Sequence, residues 1–385
     1  MFNTTIGPSA EGDNYYSRTY LDQKFWKLIN NGAHILVSAP RRIGKTSFLK
    51  NVVHQGKKGF IVKYHITESI NSSNEFFKRL YKSLLEELST HKGLWKGLQS
   101  TLKQNSITKL GTGGIEFGKS DLDYFEEFKL LIIKIDLSEK LIFIVDEFSE
   151  TLENIITDHG EQAGKQFLHQ NRELRQESEI NKKIQFVYSG SIGLGNIAER
   201  INSVKNINDV RNFTVPPLTK EEGMNLIKML TTDEELDFAK EVKNYLLERI
   251  FWLIPYYLQI VLDEIENVLQ QNGTLKVINE NVDQAIDKAL EVRIYFEHWL
   301  TRLRTAIKGD HFSFAKETLN AISKSDKGLS VNEVFDLASK YGLQEDYGTI
   351  VRTLEYDGYI HANENKRYIF NSPLLRIWWE RNIAI

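Results

Sequence analysis

The sequence lacks several features that would place it in a common class of protein. It contains no cysteine in 385 residues, which excludes disulfides, zinc ribbons and thiol chemistry. No apolar run reaches the roughly 20 residues that a membrane-spanning helix needs. The N-terminus has neither the basic nor the apolar region of a signal peptide, and a formal net charge of −3 gives no global attraction to nucleic acid or acidic membranes. We therefore expect a cytoplasmic protein of two or three domains that has no membrane partner.

The most informative segment is a phosphate-loop motif between an apolar run at 34–38 and a helical pattern. It reads Ala39-Pro40-Arg41-Arg42-Ile43-Gly44-Lys45-Thr46. In such a strand, loop and helix arrangement, backbone N–H groups and the helix N-terminus attract phosphate. We expect Lys45 to reach the β- and γ-phosphates and the Thr46 hydroxyl to hold Mg²⁺. The first position is alanine instead of glycine, which is tolerated only if Ala39 keeps a negative φ, whereas Gly44 stands where the backbone must approach the phosphates.

A second segment, 140–147, supplies two carboxylates at the end of an apolar run. Its residues from Leu141 to Val145 show no alternation, as is typical of a parallel strand covered on both faces. Asp146 is predicted to bind the Mg²⁺ shell, and Glu147 to polarise the attacking water. An ordinary strand followed by a solvated acidic turn would look the same in isolation. The pairing with the Lys45-Thr46 motif favours a nucleotide site.

Strands alternate with helices through the first 216 residues. Strands are predicted at 34–39, 59–66, 140–146, 184–188 and 212–215. Helices are predicted at 18–31 and 160–179, and a third is indicated by the apolar face of Phe76, Phe77, Leu80, Leu84, Leu85 and Leu88. Residues 91–125 are less regular, and the glycine cluster at 111–114 favours a flexible surface loop because no Lys-Thr pair follows it. The alternation predicts a three-layer α/β domain with a parallel sheet.

The pattern becomes helical after Pro217. A capping box at 219–222 begins one helix, and further helices are predicted at 234–250, 255–271 and 279–307.

A last unit begins near His311. It begins with one helix, continues with a capping box at 330–333 that starts a second helix to Lys340, and then has a third short helix at 345–356 and a two-strand ribbon at 359–361 and 367–370. Three helices and a ribbon predict a winged helix. The predicted domains are therefore a core at 1–216, a helical lid at 217–308 and a winged helix at 309–385.

Five segments together resemble the archaeal-type ATPases, a branch of the STAND and AAA+ P-loop NTPases. In the order of that family they are Ala39–Ser47, Val145–Phe148, Ser189–Leu194, Pro255–Gln259 and Ser372–Trp379. The resemblance implies an α/β P-loop ATPase core, a helical lid and a C-terminal winged helix.

The same resemblance implies ATP and Mg²⁺ as cofactors and nucleotide contacts along the loop through Ser47. It implies that Ser189 or Ser191 is the polar sensor of the γ-phosphate, and that Pro255 belongs to the lid element that replaces a sensor arginine. Some relatives continue into a nuclease-like domain. Because this sequence stops at Ile385, we expect that activity to be absent.

Four arginines have open interpretations. For Arg41 and Arg42, inside the loop, nucleotide contact, a structural salt bridge and solvent exposure are all compatible with the sequence. Arg200 and Arg211 are weak candidates for an arginine finger across the interface of a homo-oligomer, and surface solvation is the default for each.

Other polar and aromatic residues favour structural roles. Arg172 and Arg175 are expected to face water on a polar helix. Trp378 and Trp379 are expected to pack in the core. The nine histidines show no repeated metal-ligand spacing, so we assign them no metal site.

The charge of the last unit argues against DNA binding by it. From His311 to Ile385 there are nine Lys and Arg and ten Asp and Glu. The presumed reading helix carries Glu345, Asp346 and Glu355 against Arg352 alone, whereas a helix in the major groove normally neutralises phosphates. Only Lys366 and Arg367, on the predicted wing, are placed to neutralise DNA phosphates. A protein-contact or autoinhibitory role is favoured.

The leading hypothesis is an ATP-driven molecular switch with low turnover. ATP would bind between core and lid, and lid closure would reposition the winged helix toward an unidentified protein partner. One alternative is a DNA-associated ATPase that uses the winged helix. Another is a non-hydrolysing nucleotide-binding scaffold, for which Ala39 is the only hint and against which Glu147 argues.

Overall fold

A computed structural model of the chain describes residues 2–90, 107–111, 114–117, 122–190, 193–231 and 236–384. The chain forms two compact units. The sheet unit comprises Thr19–Ser38 and Val52–Phe213, and the loop unit comprises Met1–Arg18, Ala39–Asn51 and Thr214–Ile385. The predicted domain boundaries at 216 and 308 remain a prediction.

The helices and strands are numbered in chain order. The helices are α1 (Thr19–Asn30), α2 (Lys45–Gln55), α3 (Ser73–Thr90), α4 (Tyr124–Lys134), α5 (Phe148–His159), α6 (Glu161–Gln176), α7 (Ser178–Asn181), α8 (Leu194–Arg200), α9 (Lys220–Leu230), α10 (Lys240–Ile250), α11 (Pro255–Asn272), α12 (Asn279–Glu291), α13 (Glu297–Ala306), α14 (Gly309–Ser323), α15 (Val331–Lys340), α16 (Tyr347–Asp357) and α17 (Pro373–Asn382). The strands are β1 (Ile35–Ser38), β2 (Phe60–Ile66), β3 (Ile107–Gly111), β4 (Gly114–Phe117), β5 (Lys140–Asp146), β6 (Ile184–Ser189), β7 (Arg211–Thr214), β8 (Leu329–Ser330), β9 (Ile360–Ala362) and β10 (Arg367–Phe370). None of these helices combines the length and the apolar character that crossing a bilayer requires.

A five-stranded sheet in the order β2-β5-β6-β1-β7 forms the centre of the sheet unit. The pairs β2–β5, β5–β6 and β1–β6 are parallel. Every residue of β5 after Lys140 is buried, as is every residue of β6, which confirms the parallel strand predicted from the unbroken apolar run. Because parallel strands end at one edge, β1, β5 and β6 bring their last residues, Ser38, Asp146 and Ser189, to the same side of the sheet.

The helices of the sheet unit cover these strands with apolar stripes. The six residues predicted for one face of α3 are all buried. The predicted helix at 160–179 is shorter, because α6 ends at Gln176 and the extended backbone of Glu177 separates it from α7. The helices α4 and α5 were absent from the prediction.

Gly111 ends one strand and Gly114 begins another, so the prediction of a surface loop was wrong for these two residues. Strands β3 and β4 pair antiparallel and place Gly111 opposite Gly114, while Thr112 and Gly113 lie outside the described residues.

The expectation that Arg175 faces water was also wrong. Its side chain is 3% exposed. The guanidinium donates two hydrogen bonds to Asp209, at 2.8 and 2.9 Å, and one to the Asn206 carbonyl at 2.6 Å. Tyr188 lies beneath it, with the guanidinium carbon 5.5 Å from the ring centroid. Helical periodicity alone does not reveal this pocket, because Asn206 and Asp209 lie more than 30 residues away along the chain.

The loop unit is mostly helical after Thr214. The capping box predicted at Thr219 is present at the start of α9, and Pro255 occupies the first turn of α11, where its missing N–H costs no helical hydrogen bond. The helix predicted from 234 begins only at Lys240.

The single helix predicted at 279–307 is in fact two helices. A 3₁₀ turn at Arg293–Tyr295 separates α12 from α13. Phe296 follows this turn, is fully buried and stacks on both Tyr257 and Trp378. We attribute the break to the burial of this ring.

The C-terminal part contains α14 to α17 and a three-stranded sheet in the order β8-β10-β9. The prediction of a two-strand ribbon missed β8, which is only two residues long. The capping box at Ser330 is present. Trp378 and Trp379 are 1% and 0% exposed, which confirms their packing role.

Candidate functional site

The segment 39–46 has the backbone of an anion-binding loop. Arg42 and Gly44 have φ angles of 64° and 95°, and α2 begins at the next residue, Lys45. Left-handed residues directly before a helix N-terminus build a concavity of N–H groups that suits anions. Ala39 is buried and is not among the positive-φ residues of the described chain. Alanine is therefore tolerated at this position, as the sequence analysis required.

The N-terminal segment is attached to this loop and its helix. The Ala10 N–H donates to the Ser47 hydroxyl at 3.0 Å, and Lys50 forms an ion pair with Glu11 at 2.5 Å. Ser47, predicted to contact nucleotide, therefore accepts a hydrogen bond from the chain itself. Lys45 is 8% exposed.

Arg42 has a structural partner on each side. Its guanidinium donates to the Gly7 carbonyl at 3.1 Å, and its central carbon lies 4.6 Å from the ring centroid of Tyr256. Tyr256 follows Pro255 at the start of α11, so the predicted lid element contacts the loop through this tyrosine. A non-glycine residue with positive φ is costly, and these two contacts hold Arg42 in that conformation.

The end of α16 also lies against the loop. Gly358 has a φ of 89°, and a methyl group added there would lie 2.7 Å from Cβ of Pro40. Its neighbour Asp357 is buried and paired with Arg302, with the Arg302 Nε at 3.3 Å. Burial raises the pKa of Asp357, while the positive charges of Arg302 and, more weakly, of Arg41 and Lys45 oppose this shift.

In the sheet unit, Asp146 is held between two neighbouring strands. The Tyr64 hydroxyl of β2 donates to its Oδ2 at 2.6 Å, and the Ser189 hydroxyl of β6 donates to its Oδ1. The Glu147 N–H donates to the same Oδ1 at 3.2 Å. Asp146 is 2% exposed, so these charge-assisted bonds fix the direction of its carboxylate.

Glu147 lies in the left-handed region, with φ of 61° and ψ of 36°. Such strain in a residue other than glycine, asparagine or aspartate concentrates at functional sites. It also separates the end of β5 from the start of α5, and its carbonyl accepts from the Thr151 N–H at 3.1 Å. The predicted water-orienting residue thus stands at a sharp strand-to-helix turn.

The two sensor candidates have different outcomes. Ser189 is fully buried and bonded to Asp146, and Ser191 lies outside the described residues. Gly190 between them has no room for a side chain, because a Cβ would lie 2.3 Å from the Ser149 hydroxyl.

Tyr64 is the site residue that the sequence reasoning missed. The position of Tyr64 points to Asp146 only when the pairing register of β2 with β5 is known. Tyr64 pairs with Ile144, two residues before Asp146, and nothing in the sequence alone makes β2 the neighbour of β5.

Because Asp146 is predicted to bind Mg²⁺ in an ATPase site, we expect Tyr64→Phe to raise the Mg²⁺ concentration needed for half-maximal ATP hydrolysis by roughly tenfold. The lost charge-assisted hydrogen bond is worth about 1.5–3 kcal/mol, and without it the Asp146 carboxylate can rotate. The control is Tyr245→Phe, which removes a 2.8 Å hydroxyl–carboxylate bond to Asp283. Equal Mg²⁺ titrations of phosphate release for both variants would exclude a positioning role for Tyr64.

The two finger candidates lie on the surface of the sheet unit. Arg200, the last residue of α8, forms an ion pair with Glu153 at 2.6 Å. Arg211 is exposed and begins β7. A role for either residue across a subunit interface stays a prediction.

Comparisons with known proteins identify the fold. No protein-family model matches the chain, and no curated protein matches it in sequence. A solved structure of a Walker-type ATPase of Pyrococcus abyssi matches with a TM-score of 0.60 and 16% identity, over 97% of this chain and 98% of the other. The Aeropyrum pernix ORC2 protein, solved in ADPNP and ADP complexes, matches with a TM-score of 0.53 and 12% identity, over 95% and 92%. The chain has the fold of AAA+ P-loop ATPases.

Proposed function

We propose that this protein is an ATP-binding molecular switch that hydrolyses ATP slowly. The observation that carries the proposal is the carboxyl edge of the parallel sheet. Strand β1 is followed in the chain by the loop 39–46, whose backbone suits an anion, and β5 ends in a fixed Asp146, which Glu147 follows in a strained conformation. Ligands of open α/β sheets bind at this edge.

Each residue has a defined part in this proposal. Lys45 neutralises the phosphates, and the loop N–H groups orient them. The Thr46 hydroxyl and the Asp146 carboxylate are oxygen donors, which Mg²⁺ prefers, so the donor set fits this ion. Bound Mg²⁺ supplies neutralisation of the charge that develops in phosphoryl transfer. Glu147 orients a water and accepts its proton, and Ser189 keeps Asp146 in place.

The proposal is tested by calorimetric titration with ATP, with and without Mg²⁺, followed by measurement of phosphate release. We expect binding that Mg²⁺ strengthens and a low turnover. Failure to bind ATP at millimolar concentration would overturn the proposal. Tight binding without any phosphate release would favour the non-hydrolysing scaffold.

We further propose that a rearrangement of the loop 39–46 on ATP binding changes the position of the C-terminal module, which we assign as a winged helix at 309–385. The contact between Gly358 and Pro40 supports it. A tight contact at a left-handed glycine leaves little room for independent movement, so a loop that rearranges around phosphate must displace the end of α16.

We therefore expect ATP to speed amide exchange at Gly358 and Tyr359. Their N–H groups cap α16 through the Glu355 and Leu354 carbonyls, at 3.1 and 3.0 Å, and displacement of the cap would open both bonds. Hydrogen exchange measured by mass spectrometry checks this, with Lys45→Ala as the control that should not respond. Identical exchange with and without ATP would show that ATP binding at the loop does not affect the C-terminal module.

We expect the C-terminal module to make no contribution to duplex DNA binding. Arg367 on the wing donates to Glu333 and to the Gly328 carbonyl, at 2.9 and 2.8 Å, so one of the two useful wing cations is already engaged within the chain. Non-specific affinity needs phosphate neutralisation. A fluorescence titration of labelled duplex with the full chain and with Lys366→Ala should give the same weak binding. Sub-micromolar binding that falls with salt and with this substitution would revive the DNA-associated alternative.

A further inference from the structure

Residues 3–11 form a strap between the helix α11 and the phosphate loop. Near the start of the strap, the Thr4 hydroxyl donates to Oδ1 of Asp263 at 3.1 Å. The Thr5 N–H donates to Oε1 of Gln259 at 2.5 Å. Both acceptors are residues of α11, so this end of the strap is fixed on that helix.

The other end of the strap is bonded to the loop itself. The Arg42 guanidinium donates to the Gly7 carbonyl at 3.1 Å, and the Ala10 N–H donates to the Ser47 hydroxyl at 3.0 Å. These two bonds lie on either side of residues 43–46, the part of the loop that is proposed to hold phosphate. Because the strap is also fixed on α11, we expect a rearrangement of the loop around phosphate to stretch or break these bonds.

The loop end of the strap is held by the more exposed contacts. Glu11 forms an ion pair with Lys50 of α2 at 2.5 Å, and the two side chains are 57% and 30% exposed. Exposed ion pairs contribute little to stability, whereas Gln259, which anchors the other end, is 8% exposed. Gly7 lies between the two ends with a φ of 102°, and glycine accepts large changes of backbone direction. The strap is therefore expected to open at its loop end, with Gly7 as the hinge.

We propose that the strap controls nucleotide exchange, because residues 7–11 have to release the loop before a nucleotide enters or leaves the site. The inference rests on the proposed ATP-binding function and adds to it a step that sets the rate of exchange. The strap holds the chain equally in the free and in the occupied state, so the association and dissociation rates are both proportional to the fraction of molecules whose strap is open. A change in that fraction alters both rates by the same factor and leaves the affinity unchanged.

Lys50→Ala weakens the loop end of the strap, because Lys50 binds Ser9 at 2.8 Å as well as Glu11. We expect the association and dissociation rates each to rise about two- to fivefold, the range that loss of an exposed ion pair allows, with no change in affinity. Both rates are measured by stopped-flow fluorescence with the analogue mant-ATP, and an excess of ATP serves as the chase for dissociation.

The matched control is Lys220→Ala. Lys220 forms an ion pair with Glu248 at 2.9 Å, and both side chains are exposed, but neither residue belongs to the strap or contacts it through this pair. Both rates should equal those of the parent. An equal acceleration in Lys220→Ala and Lys50→Ala would indicate a general effect of charge and would overturn the inference.

A reversed experiment closes the strap covalently. The chain contains no cysteine, so Ser9→Cys combined with Lys50→Cys introduces the two thiols that a short cross-linker such as dibromobimane can join. Relative to the same protein before bridging, both rates should fall about tenfold or more while the affinity stays the same. Ser9→Cys alone, treated with the same reagent, cannot be bridged and should not slow.

The possible failures are distinguishable. If the parent protein binds no ATP or mant-ATP, the proposed function itself is wrong, and the inference is overturned with it. If the parent binds and the rates are unchanged either in Lys50→Ala or after bridging, only the role of the strap is wrong. A change in the dissociation rate alone, with a matching change in affinity, would also overturn that role, because it would show an effect on the bound state instead of on exchange.

Discussion

Lys45→Ala is expected to abolish tight ATP binding. Lys45 is the first residue of α2, directly after the left-handed Gly44, and its side chain is 8% exposed. A cation in this position faces bound phosphates together with the partial positive charge of the helix N-terminus. Its loss removes a charge-assisted contact worth about 2–3 kcal/mol, more if desolvated, which corresponds to a rise in Kd of roughly 30- to 150-fold. Isothermal titration calorimetry measures this directly.

Lys50→Ala is the matched control for this experiment. Lys50 lies on the same helix and loses the same charge, but its partners are Ser9 and Glu11. We expect its ATP affinity to stay close to that of the parent. Unchanged affinity in Lys45→Ala would remove Lys45 from the site, whereas an equal loss in both variants would indicate a general effect of charge.

Glu147→Gln is expected to retain ATP binding and to lose turnover by about 100-fold or more, the usual contribution of a general base. The amide keeps the size of the side chain and the backbone at its left-handed turn, but it cannot accept a proton from water. Phosphate release in single-turnover conditions and ATP affinity are measured on the same preparation, so that a change in chemistry is separated from a change in binding.

Glu150→Gln provides the comparison, because Glu150 lies in the first turn of α5 and is the next carboxylate along the chain. We expect it to keep most of the parental rate. If Glu147→Gln hydrolyses ATP at the parental rate while Glu150→Gln does not, the water-orienting role belongs to Glu150. Parental rates in both variants would show that neither Glu147 nor Glu150 takes part in hydrolysis.

The features that could be predicted from sequence are those written in consecutive residues. The loop 39–46, the buried strand β5 with its two carboxylates, the capping boxes at Thr219 and Ser330 and the proline that begins α11 each depend on local geometry. A strand covered on both faces needs an unbroken apolar run, and a helix start needs a side chain that accepts from its own first turn. The sequence therefore predicted the fold class and the position of both motifs.

Some residues have roles that depend on contacts with distant segments of the chain, and only the tertiary structure revealed these roles. Arg175 is a charged residue on a polar helix, yet it is buried, because Asp209 and Asn206 from a later segment of the chain accept its hydrogen bonds. Tyr64 became a candidate only when β2 was found beside β5, and the predicted helix at 279–307 proved to be broken before Phe296. Sequence periodicity fixes which face of an element is apolar, but hydrogen bonds between distant segments depend on how strands are ordered and where helices end. Those two properties come from packing of the whole chain, so the motifs of this protein are local while the residues that position them are not.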